Sequence, residues 1–183
     1  MEFVDYKKEL VLLMIPGPVP IHPRVYRAMM KPIYGHRTSE FRGLYDECVN
    51  LIKKLLKTDN DVFILSGSGT SVMDAAIANL VSPGDKVLNI INGKFGRRWK
   101  EITEAYGGVS IPLEFEWGRG VDVEKVREVL EENPDIKFVT LTHNETSTGV
   151  LNPGEEIGRA VKEHDKLLIV DGITSVGGDY VYP

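Results

Sequence analysis

Three polar segments of this chain each close an apolar run, and they hold most of its chemically useful side chains. Ser66-Gly67-Ser68-Gly69-Thr70 follows residues 62–65, His143-Asn144-Glu145-Thr146-Ser147-Thr148-Gly149 follows residues 136–142, and Asp171 closes residues 167–170. If the apolar runs are parallel strands, a Gly/Ser turn, a polar loop and an acid share the sheet edge where open α/β folds bind ligands. In the first segment, glycines let backbone N–H groups approach an anion, and a following helix adds unpaired donors and a positive dipole end. Ser68 and Thr70 could add hydroxyl donors. The Lys-Ser/Thr pair of a P-loop is absent, and the same residues also read as a tight turn capped by Ser68.

Asp171 has several readings: a cap for the next turn, a ligand for a sugar or metal, or a partner for a pyridine nitrogen. In the last role its carboxylate keeps the nitrogen protonated, so the ring can accept electrons from a substrate carbanion. Phe95, in Asn92-Gly93-Lys94-Phe95-Gly96, stands just past the run 86–91. It could stack on a flat ligand or open a helix as a core residue, and Ile173 carries the same two readings. A ligand with a phosphate at one end and a basic ring nitrogen at the other suits this edge. Pyridoxal phosphate has both.

Other constellations are poorer. His143 and Glu145 could supply two metal ligands, but no HExxH or paired His/Cys spacing accompanies them, so no metal is expected. His22, His36 and His164 are scattered. Cys48, the single cysteine, falls in an amphipathic segment and reads as a core residue.

The elements that must position these residues follow from periodicity and punctuation. Residues 11–20 contain three prolines and a glycine, which predict a stiff extended arm beyond Ile15. Pro23 suits the first position of a short helix, and a longer helix is predicted over about Ser39–Lys57 from apolar residues at helical spacing. Strands are predicted at 62–65, 86–91, 109–115, 136–142 and 167–171, and helices at about 70–81, 95–106, 122–132 and 154–164. This alternation with short links predicts an α/β fold, a mainly parallel sheet with helices on both faces.

The chain has 183 residues, 42% hydrophobic and 27% charged, as in an ordinary globular protein able to bury a core. A net charge of −5 without a Lys/Arg block argues against nucleic-acid and anionic-membrane partners. No apolar run is long enough to span a bilayer, and the charged first residues do not form a signal peptide. With a single cysteine, a cytoplasmic location is the expectation.

Taken in order, the segments resemble the class V aminotransferases of fold type I, above all the alanine–glyoxylate and serine–pyruvate group and related archaeal aspartate aminotransferases. The resemblance rests on Pro16-Gly17-Pro18, Gly35-His36-Arg37, Ser66 to Gly69, Gly84-Asp85-Lys86, His143 to Gly149, and Val170-Asp171 with Ser175 to Gly178. It implies pyridoxal 5'-phosphate as cofactor. Ser68, Gly69 and Thr70 would hold its phosphate, and Phe95 would stack on the ring where many relatives carry Trp. Ile173 would pack on the opposite face, Thr146 would lie by the ring hydroxyl, and Asp171 would pair with the ring nitrogen. Gly17 and Pro18 would border the substrate, and His36 and Arg37 would lie near a dimer interface.

The activity so implied is transfer of an amino group from a small amino acid (alanine, serine or aspartate) to a 2-oxo acid such as glyoxylate or pyruvate, by a homodimer. The family's Schiff-base lysine lies beyond the match to Asp171, yet no lysine follows Lys166. The resemblance therefore implies residues 1–20 as an N-terminal arm and 21–183 as the N-terminal part of the cofactor-binding large domain. The rest of that domain and a C-terminal small domain would be absent, and the fragment alone would be inactive. Two alternatives share the pattern. One is a cysteine desulfurase-like or other lyase of the same fold, whose members usually place a histidine where Phe95 stands. The other is a non-catalytic α/β module that binds a phosphate-bearing ligand.

Overall fold

The computed structural model describes residues 13–179. The chain divides into two compact units, one ending at Leu44 and the other starting at Tyr45. In the first unit, residues 13–22 carry no helix or strand, as three prolines require; residues 11 and 12 of the predicted arm, with everything before them, lie outside the described residues. Pro23 then opens the short helix α1 (Pro23–Met29), whose first turn is capped by the His22 ring accepting from Arg24 N–H at 3.2 Å. Helix α2 (Ser39–Leu56) follows and runs across the boundary, with Tyr45–Leu56 counted in the second unit.

The second unit is the α/β body. Its elements are α3 (Gly69–Leu80), β1 (Lys86–Ile91), α4 (Lys94–Ala105), β2 (Val109–Glu114), α5 (Val123–Glu132), β3 (Ile136–Thr142), β4 (Asn144–Glu145), β5 (Val150–Leu151), α6 (Gly154–Glu163) and β6 (Leu167–Asp171). Strands β2, β1, β3 and β6 form one sheet in that order, and every pairing is parallel.

Both faces of the sheet are covered because its strands are apolar on both sides. Val87 packs with Met73, Ile77 and Val81 of the α3 region and with Trp99 and Ile102 of α4. The neighbouring Leu88 and Ile90 pack on the other face with Val126 and Leu130 of α5 and with Ile157 and Val161 of α6. The one buried polar residue facing α4 from mid-β1 is fully bonded, as burial demands. Asn89 donates to Thr140 Oγ1 at 2.9 Å and to Thr103 Oγ1 at 3.3 Å, and accepts from Ser110 Oγ at 2.6 Å. That amide joins three strands and α4.

Two expectations are corrected. Residues 62–65 form no strand: Ile64 N–H donates to the Tyr45 hydroxyl at 3.4 Å, and Phe63 is 77% exposed. An apolar run becomes a strand only beside a ladder partner, and among the described residues none lies next to this one. The stretch after β3, expected as a polar loop, contains the short antiparallel ribbon β4–β5, with Asn144 opposite Leu151 and Glu145 opposite Val150. Gly149, at φ +72°, makes the reversal between its strands.

Candidate functional site

The C-terminal ends of β1, β3 and β6 lie side by side, since Thr142 is in register with Asp171 and β1 pairs with β3. His143 N–H continues the ladder by donating to Asp171 O at 2.9 Å. Everything the chain adds at those three ends therefore collects at one edge.

Helix α3 begins there. Ser68 is its N-cap, in extended conformation, with its hydroxyl accepting from Ser71 N–H at 3.2 Å. The N–H groups of Gly69 and Thr70 belong to the first turn, where a helix has no carbonyl partners to offer. Thr70 Oγ1 accepts a hydrogen bond from Arg98 Nη1 of α4 at 2.8 Å. A Cβ on Gly69 would lie 2.5 Å from Ile173 Cδ1, so the end of the Ile173 side chain, 66% exposed, rests against the start of this helix in space that a side chain at 69 would make it leave.

Helix α4 begins opposite. Its N-cap, Gly93, has no side chain to offer. The ribbon supplies the cap instead. Phe95 N–H donates to Glu145 Oε2 at 3.0 Å, Gly96 N–H donates to the same oxygen at 2.9 Å, and Lys94 N–H donates to Ser147 Oγ at 2.9 Å. The other carboxylate oxygen accepts from Ser147 Oγ at 2.6 Å and Ser147 N–H at 3.2 Å. Glu145 is 0% exposed, and its charge sits where a helix dipole is positive.

Asp171 ends β6, half-buried, with Oδ1 accepting from Ile173 N–H at 3.0 Å. Burial pushes its carboxyl above the usual aspartate range; the Ile173 N–H pulls it back, and the negative charge of Glu145 adds to the rise. Thr146 Oγ1 and Thr174 Oγ1 are 2.5 Å apart, joining the ribbon to the turn after β6.

These contacts close on themselves. Thr70 of α3 meets Arg98 of α4, Phe95 of α4 meets Glu145, Thr146 next to it meets Thr174, and Ile173 returns to Gly69. Six of the residues singled out in the sequence (Gly69, Thr70, Phe95, Thr146, Asp171 and Ile173) stand on or beside this circuit, and Ser68 adjoins it. The circuit is built wholly from the second unit. Gly17 and Pro18 belong to the first, where their peptide bond is cis.

The comparisons with known proteins point the same way. Residues 24–182 match the family model of class-V aminotransferases. The chain belongs to that family. It is 51% identical over 170 residues to an uncharacterised aminotransferase of Methanocaldococcus jannaschii, covering 93% of this chain and 44% of that protein. Its fold superposes with TM-score 0.91 on pyridoxamine–pyruvate aminotransferase from Mesorhizobium loti, at 30% identity, covering 94% of this chain and 44% of that one. With ureidoglycine–glyoxylate aminotransferase from Bacillus subtilis the TM-score is 0.90 at 35% identity, covering 97% and 46%. The chain thus spans less than half the length of the proteins it matches. Class-V aminotransferases depend on pyridoxal 5'-phosphate.

Sequence reasoning missed three members of the site. Glu145 was weighed as a metal ligand, whereas its carboxylate is committed to the start of α4. Arg98 stands three residues after Phe95 on the same helix, a spacing that puts both on one face and could have drawn attention to it. Thr174 carries no signal in the sequence; only the turn after β6 brings it to Thr146.

Proposed function

We propose that this chain forms the cofactor cradle of an aminotransferase that moves an amino group from a small amino acid to a 2-oxo acid such as glyoxylate or pyruvate. The observation that carries the reading is the closed circuit at the sheet edge. It gathers a helix start free of side-chain bulk at Gly69, an aromatic residue, a hydroxyl and a half-buried carboxyl. Those groups fit pyridoxal 5'-phosphate. Ser68, Gly69 and Thr70 hold the phosphate, with backbone N–H groups and hydroxyls as donors. Phe95 and Ile173 take the two ring faces, Thr146 lies on the side of the ring hydroxyl, and Asp171 pairs with the ring nitrogen.

When bound, the cofactor supplies a ring that accepts electrons from the substrate carbon. The chain's own part is to keep that ring cationic and immobile. Burial leaves Asp171 short of a cation, since its ionised form is disfavoured in the free site. A protonated ring nitrogen relieves that penalty, so acid and base stabilise each other's charged forms. Arg98 adds positive charge beside Thr70 at the phosphate end.

The relatives' names support a 2-oxo acid acceptor, pyruvate in one and glyoxylate in another. Resemblance alone assigns Gly17 and Pro18 to the substrate, and implies a cytoplasmic homodimer with residues 21–183 as the N-terminal part of the large domain. The 183 residues by themselves are proposed to be inactive, because no lysine follows Lys166 to hold the cofactor covalently.

Calorimetric titration of the full chain with pyridoxamine 5'-phosphate, which has no aldehyde to react with surface lysines, tests the cradle. Saturable 1:1 uptake, with pyridoxamine lacking the phosphate binding far more weakly, is expected. Failure of both ligands to bind refutes the assignment. Conversion of pyruvate to alanine by the pure chain would refute the inactivity.

A further inference from the structure

We propose that Glu145 is a positioning residue for the cofactor ring: one buried carboxylate locks the helix carrying Phe95 to the ribbon carrying Thr146. This rests on the cofactor reading above and deepens it, since the resemblance gives Glu145 no part and the sequence offered it only as a candidate metal ligand.

The geometry is specific. Phe95 is the second residue of α4, and its backbone N–H is one of the groups Glu145 holds, at 3.0 Å. The direction of its side chain is therefore set by the same bond that fixes the helix start. Thr146 directly follows Glu145, so moving the carboxylate moves the hydroxyl too. Ser147 closes the clamp from the other side, donating to Glu145 and accepting from Lys94 N–H. Through Thr146 and Thr174 the lock extends to the turn that holds Asp171 and Ile173.

A carboxylate suits this duty better than an amide. It accepts at both oxygens, and here both are used, by Phe95 and Gly96 on one and by Ser147 on the other. A glutamine in its place keeps one acceptor oxygen and turns its NH2 toward the Ser147 N–H, a donor it cannot pair with, and toward a Ser147 hydroxyl that would have to stop donating to accept from it. Burying such a mismatch is costly, which explains why a fully buried acid stands in a two-residue strand.

The test is a double-mutant cycle on pyridoxamine 5'-phosphate affinity in the full chain, with E145Q, F95A and the pair. Each single change is expected to weaken binding about tenfold, the scale of a lost aromatic contact. The double variant should lose clearly less than the product of the two single losses, because a large part of the effect of Glu145 runs through Phe95. Losses that multiply to about a hundredfold would mean the two residues act independently, and would overturn the inference while leaving the cofactor reading intact. Amide exchange gives a ligand-free readout: Lys94, Phe95 and Gly96 should lose protection in E145Q while Leu88 and Val139 keep theirs. Unchanged protection at Lys94–Gly96 also overturns it. If E145Q does not fold, S147A opens the same clamp without altering the buried charge and should give the same non-additive pattern with F95A. A wild-type chain that takes up no pyridoxamine 5'-phosphate overturns both readings.

Discussion

Replacing Gly93 by alanine should unseat the start of α4 without straining the backbone. Gly93 has φ 176° and ψ −165°, an extended conformation open to any residue, so the effect is steric alone. The added Cβ would lie 2.7 Å from Ser147 Oγ and closer still to Glu145 Cγ and Cδ. Glu145 is fully buried with every acceptor in use, so it cannot swing aside and keep its bonds. Overpacking of this kind costs about 1–3 kcal/mol, and losing a helix N-cap costs about 1–2 kcal/mol. A combined loss of about 3 kcal/mol lowers Tm by about 6–12 °C in a chain of this size. Differential scanning calorimetry reads this directly. Gly120→Ala is the control, because nothing lies within 4 Å of its Cβ. A G93A variant that melts with wild type and with G120A would refute the packing argument and the clamp with it.

Two further outcomes follow from the site. Asp171 has a raised pKa in the fold, so the stability tied to its protonated form is complete below the unfolded-state value and is lost as pH rises through the folded one. D171N, which does not titrate, should therefore melt above wild type at about pH 7 and converge with it below about pH 4, while binding pyridoxamine 5'-phosphate more weakly. A stability difference that is flat with pH would refute the burial argument. S68A removes the hydroxyl that caps α3 and should cost about 1 kcal/mol in urea unfolding, together with weaker uptake of phosphate-bearing ligands only. Equal weakening for pyridoxamine would place Ser68 away from the phosphate.

Much of the architecture was legible in the residue pattern. Alternating apolar runs and amphipathic helices, cut by Gly and Pro, placed four parallel strands and the helices between them within a residue or two, because those signals are local. The position of Asp171 and Phe95 just at or past strand ends followed from the same pattern, since a parallel sheet must gather its carboxyl ends on one side; the Ser68–Thr70 turn reaches that edge without a strand before it. The strand expected at 62–65 shows the limit. Apolar character is a property of the run, but a ladder needs a neighbour, and only the fold decides whether one is there.

Glu145 marks the same boundary at the site. Its type and spacing made it a candidate for chemistry, and nothing local distinguished a metal ligand from a clamp. The answer lay in two backbone N–H groups some fifty residues away in sequence, those of Phe95 and Gly96, and in the missing side chain of Gly93. Arg98 on Thr70 and Thr174 on Thr146 are decided in the same way. What the sequence determined by itself was the inventory of groups and the edge on which they stand, because periodicity and turn chemistry act over a few residues. What the tertiary structure alone decided was which of those groups touch, because buried donors and acceptors must find partners wherever packing brings them.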